Sequence, residues 1–204
     1  MSTYQKWCLP IMVNCVCSLK PVMQQRAKIV PLARGKVLEV GVGTGLNLPY
    51  YRRSEVLQLW AMDLSKGMIK WAGRQVEQSD FKVHLLRGSA ERIPLEDNSM
   101  DTIVLMYTLC SIVEVEMAIT EMRRVLKDSG TLLFCEHGLA PDKQTRCWQN
   151  RLNGIWGRLS GGCHLNRPIP ALLEQGGFCL SEMDTMYLPG WKPFCFNYRG
   201  IAHA

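Results

Sequence analysis

Val37-Leu38-Glu39-Val40-Gly41-Val42-Gly43-Thr44-Gly45 leads into Leu46-Asn47-Leu48-Pro49-Tyr50-Tyr51, the pattern of a short buried strand, a glycine-rich turn and a helix. Gly41, Gly43 and Gly45 permit positive φ and leave no Cβ between chain and ligand, so main-chain N–H groups, including those of Val42 and Thr44, can touch a ligand directly. A dinucleotide fingerprint, G-x-G-x-x-G, read from Gly41 would need a third glycine where Leu46 stands. A phosphate-binding loop is excluded because no G-K-[ST] follows. Glu39, just upstream of Gly41, would repel a pyrophosphate and suits a cationic ligand. The turn therefore reads as the site of an adenosine-type cofactor.

The surrounding order of elements agrees. Val37–Val40, Leu57–Met62, Lys82–Leu86, Thr102–Met106 and Thr131–Cys135 are short, apolar and bounded by turn residues, which predicts strands. Helices are expected at Leu46–Arg53, Lys66–Gln78 and Val113–Lys127, the last closed by Asp128-Ser129-Gly130. Alternation of this kind predicts an α/β fold with a doubly wound, mostly parallel sheet and helices on both faces. Ligands of such sheets bind beyond the carboxyl ends of the strands. Those ends carry Glu39–Gly45, Asp63, Gly88–Glu91, Met106–Cys110 and Glu136-His137, so the polar residues collect on one rim.

A chain of 204 residues can bury a substantial core, and a single domain is expected over 1–204. Residues 1–33 read as an N-terminal helical cap, 34–140 as a cofactor-binding core, and 141–204 as substrate-side helices and final strands. With 47% hydrophobic and 21% charged residues the composition is that of a folded globular protein. The net charge of +6 is scattered apart from pairs such as Arg52-Arg53 and Arg123-Arg124. That pattern argues against a nucleic-acid partner and leaves peripheral contact with an anionic membrane surface open. Nine cysteines, mostly in apolar segments, and no secretory signal point to a reducing cytoplasm. Cys8, Cys15 and Cys17 lack the paired C-x-x-C knuckles of a zinc site, and no metal is expected. The run Leu9–Val16, broken by Pro10 and Asn14, is too short to span a bilayer.

Asp63 ends the second predicted strand, where a carboxylate can accept both ribose hydroxyls of an adenosine. The competing role is a helix N-cap, which Ser65 could equally supply. Gly88-Ser89-Ala90-Glu91 follows the third strand, where backbone and a small side chain would meet an adenine edge.

Taken together, Val37–Gly45, Met62-Asp63-Leu64-Ser65, Gly88–Leu95, Asp97–Asp101, Met122–Lys127, Gly130–Leu133 and Glu174-Gln175-Gly176-Gly177-Phe178 resemble the class I S-adenosylmethionine-dependent methyltransferases. Gly45–Tyr51, Leu109-Cys110-Ser111-Ile112, Glu136-His137 and Gly162–Arg167 are similar to the small methyltransferases akin to the animal alkyl-thiol enzymes, whose bacterial relatives are often labelled phospholipid methyltransferases. The resemblance implies a Rossmann-like sheet with an antiparallel C-terminal strand and S-adenosyl-L-methionine as cofactor. It places Glu39 and the glycine loop near the sulfonium, Asp63 at the ribose, Met68 and Ser89–Glu91 around the adenine, and Met106 and Tyr107 at the methyl end, with Asn47, Leu64 and Gly88 also among the cofactor-binding residues.

Methyl transfer is a direct displacement at carbon and needs alignment and a dry pocket rather than a covalent nucleophile. A thiol acceptor supplies thiolate near neutrality; a hydroxyl or ammonium needs a base. His137 is the first candidate for that base, with a hydrogen-bonded structural role as its alternative, and His164 is the second. Cys110, Trp148 and His164 are candidates for contact with the acceptor. Two stripes at helical spacing lie outside the common sheet: Trp7, Ile11, Cys15 and Leu19, and then Trp148, Leu152, Ile155, Trp156 and Leu159. Each reads as core or as a lid over the rim, and the lid reading favours a small lipophilic acceptor. The leading expectation is methyl transfer to such an acceptor, a thiol first. Phosphatidylethanolamine N-methylation and a non-catalytic cofactor-binding protein are the alternatives, and the oligomeric state is left open.

Overall fold

The computed structural model describes residues 9–77 and 82–204. Its centre is a seven-stranded sheet in the order β3-β2-β1-β4-β5-β7-β6. The strands are β1 (Gly35–Val40), β2 (Val56–Asp63), β3 (Val83–Arg87), β4 (Met100–Met106), β5 (Leu126–His137), β6 (Cys179–Tyr187) and β7 (Phe196–His203). Neighbours among β1 to β5 pair in parallel. β7 runs antiparallel to both β5 and β6, so the expected antiparallel C-terminal strand is present. The five predicted strands all form, each within a residue or a few of its expected bounds.

The central strands read as nearly unbroken apolar runs because they are covered on both faces. On one face Leu38, Ile103, Leu105 and Phe134 pack with Ala118, Ile119 and Met122 of α4 (Val115–Val125) and Ile169 and Leu173 of α6 (Ile169–Gln175). On the other, Val37, Leu59, Val104 and Leu133 pack with Ile29 of α2 (Lys20–Ile29) and the Val30–Leu32 turn that follows it. Ala72 of α3 (Lys66–Val76) covers Ala61 on that same face. The strand order reverses between β1 and β4, and a crevice opens there beyond their carboxyl ends.

Three expectations are corrected. Leu46–Arg53 is not a helix but a turn with one short 3-10 segment, Leu48–Tyr50. Pro49 lacks a donor, and Asn47 and Tyr51 are drawn inward to Glu39. The helix expected over Val113–Lys127 spans only Val115–Val125, because Leu126 turns extended and pairs with Met100 at a bulged start of β5. Third, the first apolar stripe is not core: on α1 (Leu9–Cys17) and just beyond it, Ile11 is 50% and Leu19 56% exposed, while Trp7 lies outside the described residues. The third helix runs to Val76, and Gln78 too lies outside the described residues. Among the described residues no helix is long and apolar enough to cross a membrane.

Candidate functional site

The glycine turn is fixed from β2. Met62 O accepts the N–H groups of Gly41 and Val42 at 2.8 and 2.9 Å. Gly43 N–H donates to Asp63 Oδ2 at 3.0 Å, and Ser65 N–H to Asp63 Oδ1 at 2.8 Å. Gly41 sits at φ +76°, and a Cβ built there would lie 2.2 Å from Thr108 Oγ1. Gly43, at φ +56°, would point a Cβ into open space, the room a ligand would need. Ser65 caps α3, accepting from Met68 N–H, so Asp63 is released from the capping role and serves the loop. Burial raises the Asp63 carboxyl above its ordinary value, against the pull of the Ser65 and Gly43 amides.

Beneath the turn lies a polar network. Glu39, 1% exposed, accepts from Asn47 Nδ2 and from the Tyr51 hydroxyl, each at 2.8 Å. Asn47 Oδ1 in turn accepts from Arg26 Nη1 at 2.6 Å. Burial pushes the Glu39 carboxyl up to about 7, while the Tyr51 and Asn47 donors and the Arg26 charge oppose the rise.

The opposite wall follows β4. Tyr107 takes φ +59°, a backbone state that non-glycine residues seldom adopt and that clusters at functional sites. Glu136, fully buried at the end of β5, accepts from the N–H groups of Thr108 at 2.7 Å and Cys110 at 3.3 Å and so holds the loop after β4. Burial raises its carboxyl to about 7. After β3 the Ser89 hydroxyl donates to the Glu91 carboxylate, whose other oxygen accepts from Glu114 N–H at 3.1 Å.

These walls enclose a cavity of about 670 Å³. Gly41, Val42, Gly43 and Thr44 line it from the turn, and Asp63, Leu64 and Met68 from β2 and α3. Gly88, Ser89, Ala90 and Glu91 close the β3 side, and Met106 and Tyr107 the β4 side. Glu39, Gly45 and Asn47 are not on its surface; they support the turn from below.

None of the acceptor-side and base candidates lines the cavity, although His164 N–H donates to Cys110 O at 2.8 Å. His137 is buried behind the wall, its Nε2 without a hydrogen-bond partner. Cys110 and Cys163 place their sulfurs 3.5 Å apart in the same layer. The Cys110 thiol, followed by the His137 ring, holds the Cys163 thiol well below its ordinary value. His164 bonds Asn153 at 3.2 Å and is absent from the lining. Trp148, 41% exposed on α5 (Lys143–Leu159), packs on Trp191 with ring centroids 6.0 Å apart, also off the cavity.

The structure adds residues that the sequence did not mark: Arg26 from α2, Val13, Asn14 and Cys17 from α1, and Gly157, Arg158, Ser160 and Gly161 around the end of α5. Pro21 near the start of α2 and the close spacing of Gln25, Arg26 and Ile29 on one face of it are the only local signs that a polar pair there turns inward.

Residues 38–134 match a family described as a methyltransferase domain. Over 169 residues the chain is 27% identical to thiol S-methyltransferase TMT1B of Rattus norvegicus, covering 81% of this chain and 66% of that protein. It therefore spans slightly less than two thirds of that relative's length. It is 35% identical over 111 residues to the phosphatidylethanolamine N-methyltransferase of Cereibacter sphaeroides, covering 53% of each. A SAM-dependent methyltransferase from Aquifex aeolicus has the same fold at TM-score 0.65 and 20% identity, covering 94% of this chain and 97% of that one. Residues 38–134 are thus similar to a methyltransferase domain, and the relatives and the shared fold support a class I S-adenosylmethionine-dependent methyltransferase. The same similarities support S-adenosylmethionine as the cofactor, and the cavity suits that ligand: Gly43 leaves open space, Asp63 keeps unused lone pairs, and the buried Arg26 is among the lining residues.

Proposed function

We propose that this methyltransferase acts on the sulfur of a small lipophilic thiol. The observation that carries the reading is the chemistry of the wall contributed by α1, the loop after β4 and the end of α5. Val13, Cys17, Ile112 and Val113 are apolar or neutral, Asn14, Thr108, Ser111 and Ser160 are polar but uncharged, Arg158 is a cation, and among the described lining residues there is neither histidine nor lysine. Burial raises the Cys17 thiol and carries the Tyr107 phenol well above its ordinary value, so both hold their protons at neutral pH. The lining carboxylates, Asp63 and Glu91, belong to the turn and to the adenosine end. An acceptor therefore has to shed its own proton, which a thiol, near 8.5 in the cysteine case, does more readily than a hydroxyl or a lysine-like ammonium near 10.4.

Bound S-adenosylmethionine supplies a methyl group on a positively charged sulfur. Asp63 and the turn amides would hold its nucleoside, Ser89 to Glu91 would border the base, and Met106 and Tyr107 would flank the reacting end. Val13, Cys17, Ile112 and Val113 would shield an acceptor thiolate from water, which would favour its taking the methyl group as the methyl–sulfonium bond breaks and S-adenosylhomocysteine leaves. Similarity to the rat thiol S-methyltransferase supports the same acceptor.

The test is methyl transfer to hexanethiol, hexanol and hexylamine, with phosphatidylethanolamine vesicles as a fourth acceptor. Turnover of the thiol alone, rising with pH as the thiol ionises, is expected. Turnover of the vesicle lipid without the thiol would replace this reading with N-methylation of a phospholipid.

A further inference from the structure

Cys110 and Cys163 face each other across one seam behind the cavity wall. The loop after β4 supplies Cys110, and the segment after α5 supplies Cys163, 53 positions later in the chain. Their sulfurs stand 3.5 Å apart, in van der Waals contact. The two backbones are stitched together alongside them: His164 N–H donates to Cys110 O at 2.8 Å, and the Arg167 guanidinium donates to the carbonyls of Leu109 and Ile112. Neighbours of both cysteines line the cavity, Ser111, Ile112 and Val113 on one side of the seam and Ser160, Gly161 and Gly162 on the other.

The surroundings of Cys163 are those of a thiolate. His137, 7% exposed, has its Nε2 buried without a hydrogen-bond partner, and the Nε1 of Trp156 is buried in the same way. Contact with Cys110 and then the His137 and Trp156 rings favour the charged form of Cys163 against the effect of burial, and hold its thiol well below the ordinary value. Contact with Cys163 and burial hold the Cys110 thiol well above its own. One proton is thus shared by two sulfurs, and it rests on Cys110. Cys163 is partly exposed while Cys110 is buried, and methyl transfer in the cavity calls on neither.

We propose that the pair is a peroxide-oxidised dithiol, in which Cys163 attacks the peroxide and Cys110 then closes a disulfide that narrows the acceptor side of the cavity. In the first step the Cys163 sulfur bonds one oxygen of hydrogen peroxide as the O–O bond breaks. The other oxygen departs as hydroxide, and Cys163, oxidised by two electrons, becomes a sulfenic acid. In the second step the Cys110 sulfur displaces the sulfenic hydroxyl, which leaves as water with the proton that Cys110 gives up. Closing the bond shortens the sulfur separation from 3.5 Å to about 2.05 Å, which draws the loop after β4 and the end of α5 together by on the order of 1 Å. Asp63 and Ser89 to Glu91 belong to other elements, the end of β2 and the turn after β3, so the nucleoside end is left in place. The effect on turnover rests on the thiol-acceptor reading above; the crosslink itself does not.

The test is treatment of the reduced full chain, wild type, Cys110→Ser and Cys163→Ser, with hydrogen peroxide, followed by alkylation and peptide mass spectrometry. The expected wild-type product is a crosslinked peptide pair holding Cys110 and Cys163, reversed by dithiothreitol. It forms about tenfold or more faster than the exposed Cys15, Cys147 and Cys179 are oxidised, since a free thiol is only a few per cent ionised near neutrality. Cys110→Ser, unable to close the bond, accumulates a sulfenic acid at Cys163 that dimedone captures, and in Cys163→Ser the Cys110 thiol stays reduced. Hexanethiol methylation by wild-type protein, with the crosslink counted again at the end of each assay, falls about tenfold or more in kcat/KM on oxidation, because a misplacement of about 1 Å can cost a hundredfold. Reduction restores it, and S-adenosylhomocysteine binding is unchanged throughout. Cys110 and Cys163 still open to alkylation after peroxide has consumed the exposed thiols would overturn the proposal, as would a crosslink that leaves turnover unaltered. If the reduced protein methylates no thiol, the acceptor reading fails, and the peptide map still decides whether the pair is a peroxide site.

Discussion

Replacing Asp63 by alanine tests whether the turn after β1 and the end of β2 together form a ribose site. A carboxylate offers about four lone-pair positions. The amides of Gly43 and Ser65 use one on each oxygen, at 3.0 and 2.8 Å, leaving roughly two for the adjacent ribose hydroxyls. Hydrogen bonds to a charged group contribute about 1.5–3 kcal/mol each, but in the free protein water occupies the same positions. The net loss on binding is therefore about 1–3 kcal/mol, or roughly 5- to 150-fold in Kd. The assay is calorimetry with S-adenosylhomocysteine and its 2′-deoxy analogue. Wild-type protein should prefer the intact ribose, and Asp63→Ala should weaken binding and lose that preference. A variant that stays folded, binds S-adenosylhomocysteine within twofold of wild type and still discriminates against the deoxy analogue would remove Asp63 from the site.

Gly41→Ala places a methyl 2.2 Å from Thr108 Oγ1 on a backbone at φ +76°, and should cost about 1–3 kcal/mol of stability, read as a lowered unfolding midpoint. Glu39 and Glu136 are both raised by burial from the ordinary 4.5 to about 7. Because each binds its proton more tightly folded than unfolded, the stability they contribute is complete below pH 4.5 and is lost as pH rises toward 7. Denaturant midpoints measured across that range should show a steeper decline in wild-type protein than in the Glu39→Gln, Glu136→Gln double variant; identical slopes would refute the buried-acid argument. His137→Asn should leave the pH dependence of thiol methylation unshifted, since the ring lies behind the cavity wall; a displaced profile would restore it as a base.

Features decided by local pattern were legible before any fold was seen. The glycine spacing, the five apolar strands and the acid ending β2 each follow from short-range steric and period rules, and their order forces the rim on which they meet. Residues placed by long-range contact were not legible. Leu46–Arg53 carries helical character, but Pro49 and the pull of Glu39 on Asn47 and Tyr51 decide against a helix. Leu126 reads as the end of a helix until its pairing with Met100 makes it the start of a strand. The aromatic spacing around Trp148 suggested contact with the acceptor, whereas the ring packs on Trp191, 43 positions away in the chain. Arg26 is the clearest case, since Pro21 and the spacing of Gln25, Arg26 and Ile29 give only a faint local sign, and none that the charge will be buried against a turn some twenty residues later.

The antiparallel hairpin of β6 and β7 reaches further than its place at the edge of the sheet suggests. Arg199 on β7 joins Asp184 on β6 to Gln25, whose Oε1 accepts from Arg199 Nη1 at 2.8 Å, and Gln25 directly precedes Arg26. The C-terminal hairpin thus acts as a bracket for α2, and through it for the cation in the cavity. A change at Arg199 or Asp184 would therefore be felt on α2, which supplies part of the cavity wall, without altering any residue that lines it.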